Sequence, residues 1–470
     1  MLSFPNALAL QAYAKPTLPG EVVWLDSFRD QFILDGKGRP SGDGATTFES
    51  PVGSWRRLLI GHPSWMEHRD WYCDAVNGND ENGGVDAANA LKTPDELQRR
   101  WGGTGRRARL TRALTLTFAQ SPTGQTNMVF EVALGASFTF VGTPTITKPG
   151  TVLSDVQTQV RTAGSELGWA ITGPGLDATD VGKLVVITAS GVGANVDAYA
   201  LVLKDETGGK VRVSPFGTFD STTGAFTQRT PQVGDTVEIR TPMTLTVGMI
   251  DCYAAAAGSA SAGVNRVLFD SLTLDAGGTS DGGIYGHKTS IYYARSILNG
   301  VTWLGEGSGG KAPHFLRGGG VGTGQLFVRS GGNSTISQSG CLGSVSVGAN
   351  GHLAVAADTY FQNCGLTVAR GAFVNSQGAA FFDRSSSDSA FVLLDGGVCT
   401  QLGAVPDWGT NNTGHGLKVQ SGASYTYATK PTINGTVGAG REALVGGTDK
   451  LWSAIPYVEA TNNAMIVPTA

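Results

Sequence analysis

The fold is decided by a repeated pattern that is clearest in residues 344–355, which read SVSVGANGHLAV. Two apolar residues one apart are followed by a polar stretch, a glycine and a second apolar strand. The same arrangement returns as LTVARGAFV from Leu366, FVLLDGGVC from Phe391 and LKVQSGASY from Leu417. A period of about 20 to 30 residues is typical of a solenoid. Four apolar residues hold equivalent places, 21, 26 and 25 residues apart: Val347, Val368, Leu394 and Val419.

A single repeat of this kind cannot fold alone. Its two or three short strands expose an apolar inner face that only the coils above and below can cover, so stacking is obligatory. Adjacent strands lie about 4.8 Å apart, and residues 242–446 then form about eight or nine coils in a rod roughly 40 Å long. Glycines are expected at the corners, where a side chain would clash. The repeat therefore predicts an all-β chain built around a parallel β-helix.

The composition agrees with an elongated β protein. Glycine contributes 68 of 470 residues, and only 15% of the residues are charged, where about a quarter is typical. This balance disfavours long surface helices and favours short strands joined by tight turns. The formal net charge of -4 provides no basic field for a nucleic-acid backbone, and no run approaches about 18 apolar residues. We expect no nucleic-acid partner and no membrane insertion.

The cysteines indicate neither a zinc site nor a disulfide framework, because they are odd in number and none has a C-x-x-C spacing. We expect small buried residues or free thiols. Two of them, Cys341 and Cys364, are 23 residues apart and are expected to stack in successive coils. The five are Cys73, Cys252, Cys341, Cys364 and Cys399.

A second informative segment, residues 71–103, reads WYCDAVNGNDENGGVDAANALKTPDELQRRWGG. A strand ends near Val76, a polar turn follows, and a helix begins after Thr93, a suitable N-cap, with Pro94 in the first helical position. The apolar side of this helix would be formed by Leu91, Leu97 and Trp101. The segment resembles the opening of the pectate-lyase-like superfamily of right-handed parallel β-helix proteins, in which a short helix caps the first coil. This resemblance implies the fold but no function, because enzymes and non-enzymatic phage proteins share it.

The N-terminal region carries a further resemblance. Residues 42–58, GDGATTFESPVGSWRRL, resemble the opening module of phage tail-fibre and tailspike chains, where a Gly/Asp/Thr stretch precedes a G-x-W-x-R strand. The alternative is a plain hairpin with Trp55 in its core. The chain also begins without a basic region followed by an unbroken apolar core, so no export signal is indicated. The resemblance implies a virion protein that is assembled in the host cytoplasm and released by lysis.

Five units are predicted along the chain. Residues 1–68 form a virion-attachment-like module, and residues 69–155 open the β-helix with its capping helix. Residues 156–241 alternate apolar and polar positions between glycine-rich turns, which predicts an inserted small antiparallel β-barrel or sandwich. Residues 242–446 form the parallel β-helix. Residues 447–470 depart from the repeat and are predicted to be a C-terminal cap or an inter-subunit tail.

The polar turn offers a candidate cation site. Its oxygen ligands would suit a hard cation such as calcium. The alternative is that Asn, Asp and Gly gather there for the backbone conformations and local hydrogen bonds of a turn. No cofactor is indicated, since neither a G-x-x-x-x-G-K-[ST] nor a G-x-G-x-x-G run occurs at a strand-to-helix junction. The candidate ligands are Asp74, Asn77, Asn79, Asp80 and Asn82.

Candidate catalytic residues follow from the chemistry of polysaccharide hydrolysis, which needs two carboxylates about 5 to 9.5 Å apart. Asp270 and Glu306 lie one to two coils apart and could share a face, although carboxylates alternate outward on any solvated strand. A lyase would instead use a base beside a cation, as in His287 with Lys288 or His314 with Arg317. The carboxylate candidates are Asp270, Asp275, Asp281 and Glu306.

Binding of a sugar without cleavage asks less of the chain, since exposed aromatic and amide side chains suffice. The aromatic candidates are Tyr292, Tyr293, Trp303, Tyr360, Trp408 and Tyr425. We therefore predict a structural virion protein, a tailspike or tail fibre, that binds host surface polysaccharide as a receptor-binding component. The resemblance implies a homotrimer that contacts other tail or baseplate proteins through its N-terminal region. The alternative is a polysaccharide depolymerase, a hydrolase or lyase, on the same scaffold, so enzymatic activity is left open.

Overall fold

The structure is a computed structural model that describes residues 70–401 with gaps. Outside this range, it describes the backbones of nine strands, and strands between 380 and 395 are likewise described by backbone alone. The gaps are 81–83, 85, 102–107, 134, 158–168, 255–265, 278–281, 307–313, 331–332, 357, 363, 377–379, 384–391 and 396.

Three parallel sheets, which we call faces 1, 2 and 3, form the sides of a solenoid. The chain visits them in the order 1, 2, 3 in each complete coil. Face 1 has twelve strands: Trp71–Cys73, Ala113–Phe118, Ser137–Gly142, Arg266–Asp270, Ser290–Ala294, His314–Arg317, Asn333–Ser337, His352–Ala356, Phe373–Ser376, Val398–Gln401, Ser424–Tyr427 and Met465–Pro468.

One long strand, Met243–Ala254, belongs to two faces, because its first part pairs in face 2 and its second part in face 3. The other strands of face 2 are Leu272–Asp275, Ile297–Asn299, Gly320–Val321, Gly340–Cys341, Thr359–Gln362 and Ala380–Asp383. The other strands of face 3 are Ala108–Leu110, Thr126–Val132, Gly283–His287, Thr302–Glu306, Leu326–Ser330, Val345–Val347, Leu366–Val368, Val392–Asp395, Leu417–Gln420 and Val458–Ala460.

The sequence repeat corresponds to the strand register of face 3. Val347 lies opposite Val368, Val368 opposite Leu394, and Leu394 opposite Val419. Eight strands of face 1 lie between residues 242 and 446, in agreement with the predicted number of coils. Twelve strands spaced about 4.8 Å apart make a rod about 50 Å long. The predicted parallel β-helix is therefore confirmed.

Part of the interior of the solenoid is filled by aromatic rings from successive coils of face 1. Phe140 stacks on Phe269 with ring centroids 4.6 Å apart, and Phe269 stacks on Tyr293 at 5.5 Å. These rings are fully buried, and burying a side chain of this size contributes about 1.5 to 3 kcal/mol. The inner face of each coil is thus covered by the coils on either side of it.

The capping helix, Pro94–Arg100, is also confirmed. The Thr93 hydroxyl accepts a hydrogen bond from the Glu96 backbone N–H at 3.2 Å, as an N-cap does. Leu97 and Trp101 are buried, and the Trp101 ring lies edge-on to Phe138 at 5.7 Å. The helix therefore covers the open end of the first coils.

The corner between faces 1 and 2 has a constant backbone shape. One residue per coil adopts a left-handed conformation, with φ between 47° and 72°, at Ser271, Arg295, Gly318, Gln338 and Asp358. Glycine therefore occupies one of these five corner positions, whereas the sequence predicted glycine at corners.

Small polar side chains that follow these corner residues tie neighbouring coils together. The hydroxyls of Ser296 and Ser339 donate to the carbonyls of Phe269 and Leu316 at 3.1 and 3.4 Å. Thr359 occupies the same place in a later coil and is fully buried. The corner is therefore stabilised by bonds between coils that a glycine could not supply.

An antiparallel sheet of nine strands interrupts this corner in one coil. It lies between Gly142, at the end of a face 1 strand, and Met243, at the start of a face 2 strand. Two 3₁₀ turns, Ala178–Asp180 and Gly193–Asn195, accompany it. The inserted antiparallel unit is confirmed, and the exact domain boundaries stay predictions. Its strands are Thr145–Val152, Asp155–Gln157, Trp169–Thr172, Leu184–Ala189, Tyr199–Asp205, Lys210–Val213, Gly217–Phe219, Phe226–Gln228 and Thr236–Thr241.

The insert shares an apolar core with the solenoid. Ile297 and Tyr360 of face 2 are buried in the same cluster as Leu201 and Leu203 of the insert. Leu203 packs so closely on Gly340 that a Cβ there would collide with it. The Tyr199 hydroxyl donates to the Arg317 carbonyl at 3.0 Å. The insert is therefore packed against the solenoid rather than tethered to it.

A hairpin of the insert, residues 217–228, covers the outer side of two neighbouring face 1 strands, Ser290–Ala294 and His314–Arg317. The Arg317 guanidinium donates to the Gly224 carbonyl at 2.6 Å and lies over the Phe315 ring at 5.1 Å. Phe219 lies against Tyr292 with ring centroids 6.1 Å apart. This part of face 1 is consequently closed to other ligands.

The strands at the two ends of the chain are described by backbone only. Gly53–Leu58 pairs antiparallel with Thr47–Ser50, as a hairpin, the alternative given for this segment, would do, and this sheet also contains Leu2–Phe4, Val22–Leu25 and Asp30–Leu34. In the predicted C-terminal unit, Val458–Ala460 and Met465–Pro468 extend faces 3 and 1 in parallel register. No helix in the part of the chain that the structure describes is both long and apolar enough to cross a membrane.

The contact between insert and corner predicts an unequal response to two glycine substitutions. Gly318 and Gly371 both have a left-handed φ, but a Cβ at Gly318 would collide with the Phe226 ring, whereas open space surrounds Gly371. We expect Gly371→Ala to lower the free energy of unfolding by about 1 kcal/mol from backbone strain. Gly318→Ala should cost about 2 to 4 kcal/mol because crowding adds to strain. Denaturant unfolding measures both, and equal losses would contradict the described packing.

Candidate functional site

The structure places Asp270, the first carboxylate candidate, in an ion pair. Its carboxylate accepts a hydrogen bond from Arg295 Nε at 2.8 Å, a second from a terminal nitrogen of Arg295, and a third from the Ser271 hydroxyl at 3.0 Å. Asp270 is 9% exposed and lies at the corner beside the insert. Its carboxylate therefore stabilises the corner by binding Arg295 and Ser271. Its catalytic role stays a prediction without geometric support.

The other carboxylate candidates are not brought together with Asp270. Asp275 lies at the opposite end of the strand Leu272–Asp275, where it accepts hydrogen bonds from the Gly277 N–H at 2.7 Å and from the Asn299 amide at 3.0 Å. Asp281 lies outside the described residues, and Glu306 is described by its backbone alone. The proposed pair of Asp270 and Glu306 is split between face 1 and face 3.

The candidate calcium ligands are engaged in hydrogen bonds of the turn. Asp74 accepts from the backbone N–H groups of Val76 and Asn77 at 2.9 and 3.0 Å, and the bond from Asn77 is the main cause that lowers the pKa of Asp74. Asp80 accepts from the Thr93 N–H at 2.8 Å and from its hydroxyl at 2.9 Å. It thereby fastens the turn to the helix N-terminus.

Calcium binding at this turn stays a prediction. Asn79 donates its backbone N–H to the Ala90 carbonyl at 3.0 Å, and Asn82 lies outside the described residues. Within the described part of the chain, no group of three or more His, Cys, Asp or Glu side chains is arranged to hold a metal ion.

Most of the aromatic candidates for sugar binding are buried. Tyr293 and Trp303 are fully buried inside the solenoid, and Tyr292 and Tyr360 are covered by the insert. Trp408 and Tyr425 have no described side chains. The described candidates are therefore packing residues, and the prediction that they bind sugar has no support from their positions.

His314 is likewise a residue of the interior. Its Nδ1 lies 2.8 Å from the Tyr293 hydroxyl, and its Nε2 lies 2.8 Å from the Leu304 carbonyl. Because a carbonyl only accepts, Nε2 carries the proton and Nδ1 accepts from Tyr293. Burial lowers the pKa of His314 to about 4. This neutral histidine links faces 1 and 3 and cannot act as a solvent-facing base.

The cysteines are free thiols and buried, as predicted. Cys341 lies opposite Phe361 in the register of face 2, so it does not stack on Cys364 as the sequence spacing suggested. Instead, Cys364 approaches the Cys341 carbonyl, with Sγ 3.1 Å from the oxygen. Burial raises the pKa of the Cys399 thiol to about 12. Burial raises the pKa of the Cys252 and Cys341 thiols as well, so these three thiols are poor nucleophiles.

The outer surface of face 3 contains a cluster of aromatic and acidic residues. The sequence candidates included only two of them, His287 and Glu306. Tyr253, His287 and Tyr285 form a three-ring stack, with ring centroids 3.9 Å apart for Tyr253 and His287 and 3.8 Å apart for Tyr285 and His287. All three side chains are half-buried, whereas their strand neighbours Cys252 and Ile284 are fully buried. Strand alternation therefore directs the ring stack outward.

The register of face 3 brings acidic residues beside every ring of the stack. Glu131 lies opposite Tyr253, and Asp251 lies opposite Tyr285. The backbone of Glu306 lies opposite His287. We call these five positions and His287 the ring-stack face. It combines aromatic surface with hydrogen-bond acceptors over about 15 Å of the solenoid, because its four strands are spaced about 4.8 Å apart.

The two described carboxylates differ in their surroundings. Burial raises the pKa of the Asp251 carboxyl, and the nearby charge of His287 opposes this effect. Glu131 instead forms an ion pair with Arg109, with Oε1 3.4 Å from Nε. Asp251 therefore takes up a proton more readily than an ordinary carboxyl, whereas Glu131 has a cationic partner.

The ring-stack face was largely missed by reasoning from the sequence. His287 and Glu306 were singled out, but Tyr253, Asp251 and Glu131 were not. The signal that could have found them is the alternation in Met243–Ala254, where Asp251 and Tyr253 flank the buried Cys252. Their partners on neighbouring strands are separated by long stretches of chain, so their proximity depends on coil register.

No family model and no curated protein matches the chain. Among solved structures, it is similar to the Gp54 tailspike of Acinetobacter baumannii bacteriophage AP22, determined in complex with A. baumannii capsular saccharide. The identity is 10% and the TM-score is 0.16, over 76% of this chain and 67% of the tailspike chain. Because both values are low, the parallel β-helix assignment rests on the strand pairing of this chain.

The buried His314 predicts a loss of stability in mild acid. Its folded-state pKa of about 4 lies below the unfolded value of about 6.5, so the unfolded chain binds the proton more readily. Stability is therefore fully present above pH 6.5 and is lost as the pH falls toward 4, by about 2 kcal/mol at pH 5. Denaturant unfolding at pH 7.5 and pH 5 measures this loss.

Matched variants separate the effect of His314 from that of the carboxylates. His314→Gln should be less stable at pH 7.5 but should lack about 2 kcal/mol of the acid-induced loss. The matched control is His352→Gln, which alters a half-buried histidine on face 1. An unchanged pH dependence in His314→Gln would contradict the assignment of a neutral, buried imidazole.

Proposed function

We propose that this protein is a virion component of the tailspike or tail-fibre kind that binds host surface polysaccharide through its ring-stack face. The observation that carries the proposal is the outward stack of Tyr253, His287 and Tyr285 beside the carboxylates of Asp251 and Glu131. The C–H surfaces of a sugar ring pack on aromatic rings, and its hydroxyls donate hydrogen bonds to carboxylates. The ring-stack face supplies both kinds of partner side by side.

The scaffold supports a role in binding a long polymer. A stack of coils offers outward positions at regular spacings of about 4.8 Å along one line, so several sugar units can be contacted in a row. The resemblance of residues 42–58 to tailspike modules supports the virion assignment. A homotrimer and attachment to other tail proteins through the N-terminal region are parts of the same proposal.

Removal of a stacked ring tests the proposed binding. Tyr253→Ala and Tyr285→Ala should each weaken binding of host surface polysaccharide by at least fivefold, since an aromatic contact is worth about 1 kcal/mol or more. Binding is measured by titration calorimetry, with polysaccharide purified from a bacterial strain whose cells bind the labelled wild-type protein. Both tyrosines are half-buried on the surface, so the fold should persist, and circular dichroism verifies this.

The matched control is His352→Ala, which removes a half-buried ring that lies against Phe373 on face 1 at 5.8 Å. It should leave the affinity unchanged. Full affinity in both tyrosine variants would place the binding elsewhere on the protein. A wild-type protein that binds neither cells nor purified polysaccharide from any strain tested would contradict the proposed function.

A second candidate function, polysaccharide cleavage, is favoured by the spacing of the two acidic positions Asp251 and Glu131 on the ring-stack face. Asp251 lies opposite Val129, two residues from Glu131 on the adjacent strand, which puts the two positions about 8 Å apart. An inverting glycosidase holds its acid and base about 6.5 to 9.5 Å apart. Asp251, whose pKa is raised, would protonate the leaving oxygen, and Glu131 would activate the water.

Cleavage is tested by the appearance of new reducing ends when the protein is incubated with the bound polysaccharide. Asp251→Asn should lower the rate by at least a hundredfold, and the wild-type rate should fall as the pH rises through the pKa of Asp251. Asp275→Asn alters a carboxylate at a face 2 corner and should retain activity. A protein that binds polysaccharide without producing reducing ends is a receptor-binding component alone.

A further inference from the structure

Each ring of the stack has an acidic residue as its cross-strand neighbour. Tyr253 pairs in register with Glu131, Tyr285 with Asp251, and His287 with Glu306. A sugar unit that touches any of these rings is therefore placed within one strand spacing, about 4.8 Å, of an acidic position. The charge of the bound unit then decides whether contact with the ring is favourable.

Among the described side chains of face 3, cations offset only one of these acidic positions directly. Arg109 is already paired with Glu131. Arg329 lies two strands beyond Tyr285, opposite Leu304, at a distance of about 10 Å. Lys288 is exposed but follows His287 at the corner with a left-handed φ of 60°, where the chain leaves the face.

His287 does not offer an open cation to a ligand either. The two tyrosine rings lie against it at 3.9 and 3.8 Å, and its charge already acts on Asp251. When His287 is protonated, its charge is therefore shared with a carboxylate and with two aromatic rings. The ring-stack face thus has no unengaged cation at its centre among the described side chains.

We infer that the ring-stack face accepts sugar units that are uncharged or carry an amino group, and that it rejects units bearing a carboxylate, sulfate or phosphate. This inference rests on the proposed binding of polysaccharide and specifies its ligand class. Two like charges about 5 Å apart repel by roughly 1 to 3 kcal/mol in a surface environment, which lowers affinity about fivefold to more than a hundredfold. Hydroxyl and ammonium groups instead donate to the carboxylates.

Asp251 makes the discrimination stronger than an exposed carboxylate would. Its half-buried carboxylate has lost part of its hydration, so it gains more from a hydrogen-bond donor and resists a neighbouring negative charge more. An ammonium group gains a charge-assisted hydrogen bond there. Amino-bearing units should therefore bind more tightly than their N-acetylated counterparts.

The experiment uses the full chain on a glycan array in which each neutral glycan has an amino-bearing and an acidic counterpart. We expect wild-type binding to neutral and amino-bearing glycans, with acidic counterparts at least fivefold weaker at low ionic strength. Raising the salt concentration to about 1 M, where the Debye length is about 3 Å, should narrow this gap. Asp251→Asn should lower the preference for amino-bearing glycans at least fivefold, and Asp275→Asn should leave it unchanged.

The outcomes distinguish this inference from the proposed function. If acidic glycans bind the wild-type protein best and Tyr285→Ala abolishes that binding, the ligand class is wrong while the binding face stands. If glycans bind equally to the wild type and to both tyrosine variants, the face is wrong and the inference falls with it. If no glycan of any class binds, polysaccharide binding itself is overturned.

Discussion

Mutual coverage of the apolar inner faces is the constraint on which the whole solenoid depends. A coil on its own would leave side chains such as Phe269 and Tyr293 exposed to water, and stacking of the neighbouring coils buries them. The parallel register that results is strict, because a shift by one residue would turn the buried side chains outward. The same register aligns the outward residues in columns, which is why Tyr253 and His287 meet although 33 residues separate them in the chain.

The corners show how the coils keep this register without a uniform residue type. A left-handed residue turns the chain from face 1 to face 2, and side chains such as Ser296 and Ser339 bind carbonyls of the neighbouring coil. The polar atoms of the turn are thereby satisfied inside the structure, as buried polar groups require. Asp270 and Arg295 stabilise the same corner by an ion pair. A carboxylate at this position therefore has a structural role and is not evidence of catalysis.

Sequence signals predicted the features that are encoded locally. The equivalence of Val347, Val368, Leu394 and Val419 follows from spacing alone, and the capping helix follows from Thr93 and Pro94. The ring-stack face was not predictable in this way, because it joins strands from parts of the chain where the repeat is irregular. Aromatic residue type was also a poor guide: in Ser290–Ala294, Tyr292 and Tyr293 are adjacent, and only the strand direction shows that one points inward and the other toward the insert.

The place where the insert leaves the solenoid has a consequence for how such proteins diversify. A Cβ on Gly142 would lie 3.1 Å from the Cβ of Met243, so the insert is a side branch whose two stems touch. A branch of this kind can change in length without shifting any coil, since closing a longer loop adds little entropy cost. The packing of the insert on Ile297, Tyr360 and Gly340 restricts which sequences the branch can have. A replacement branch would have to bring its own apolar patch to cover these coils, so exchange between related chains is restricted to branches that carry a matching base.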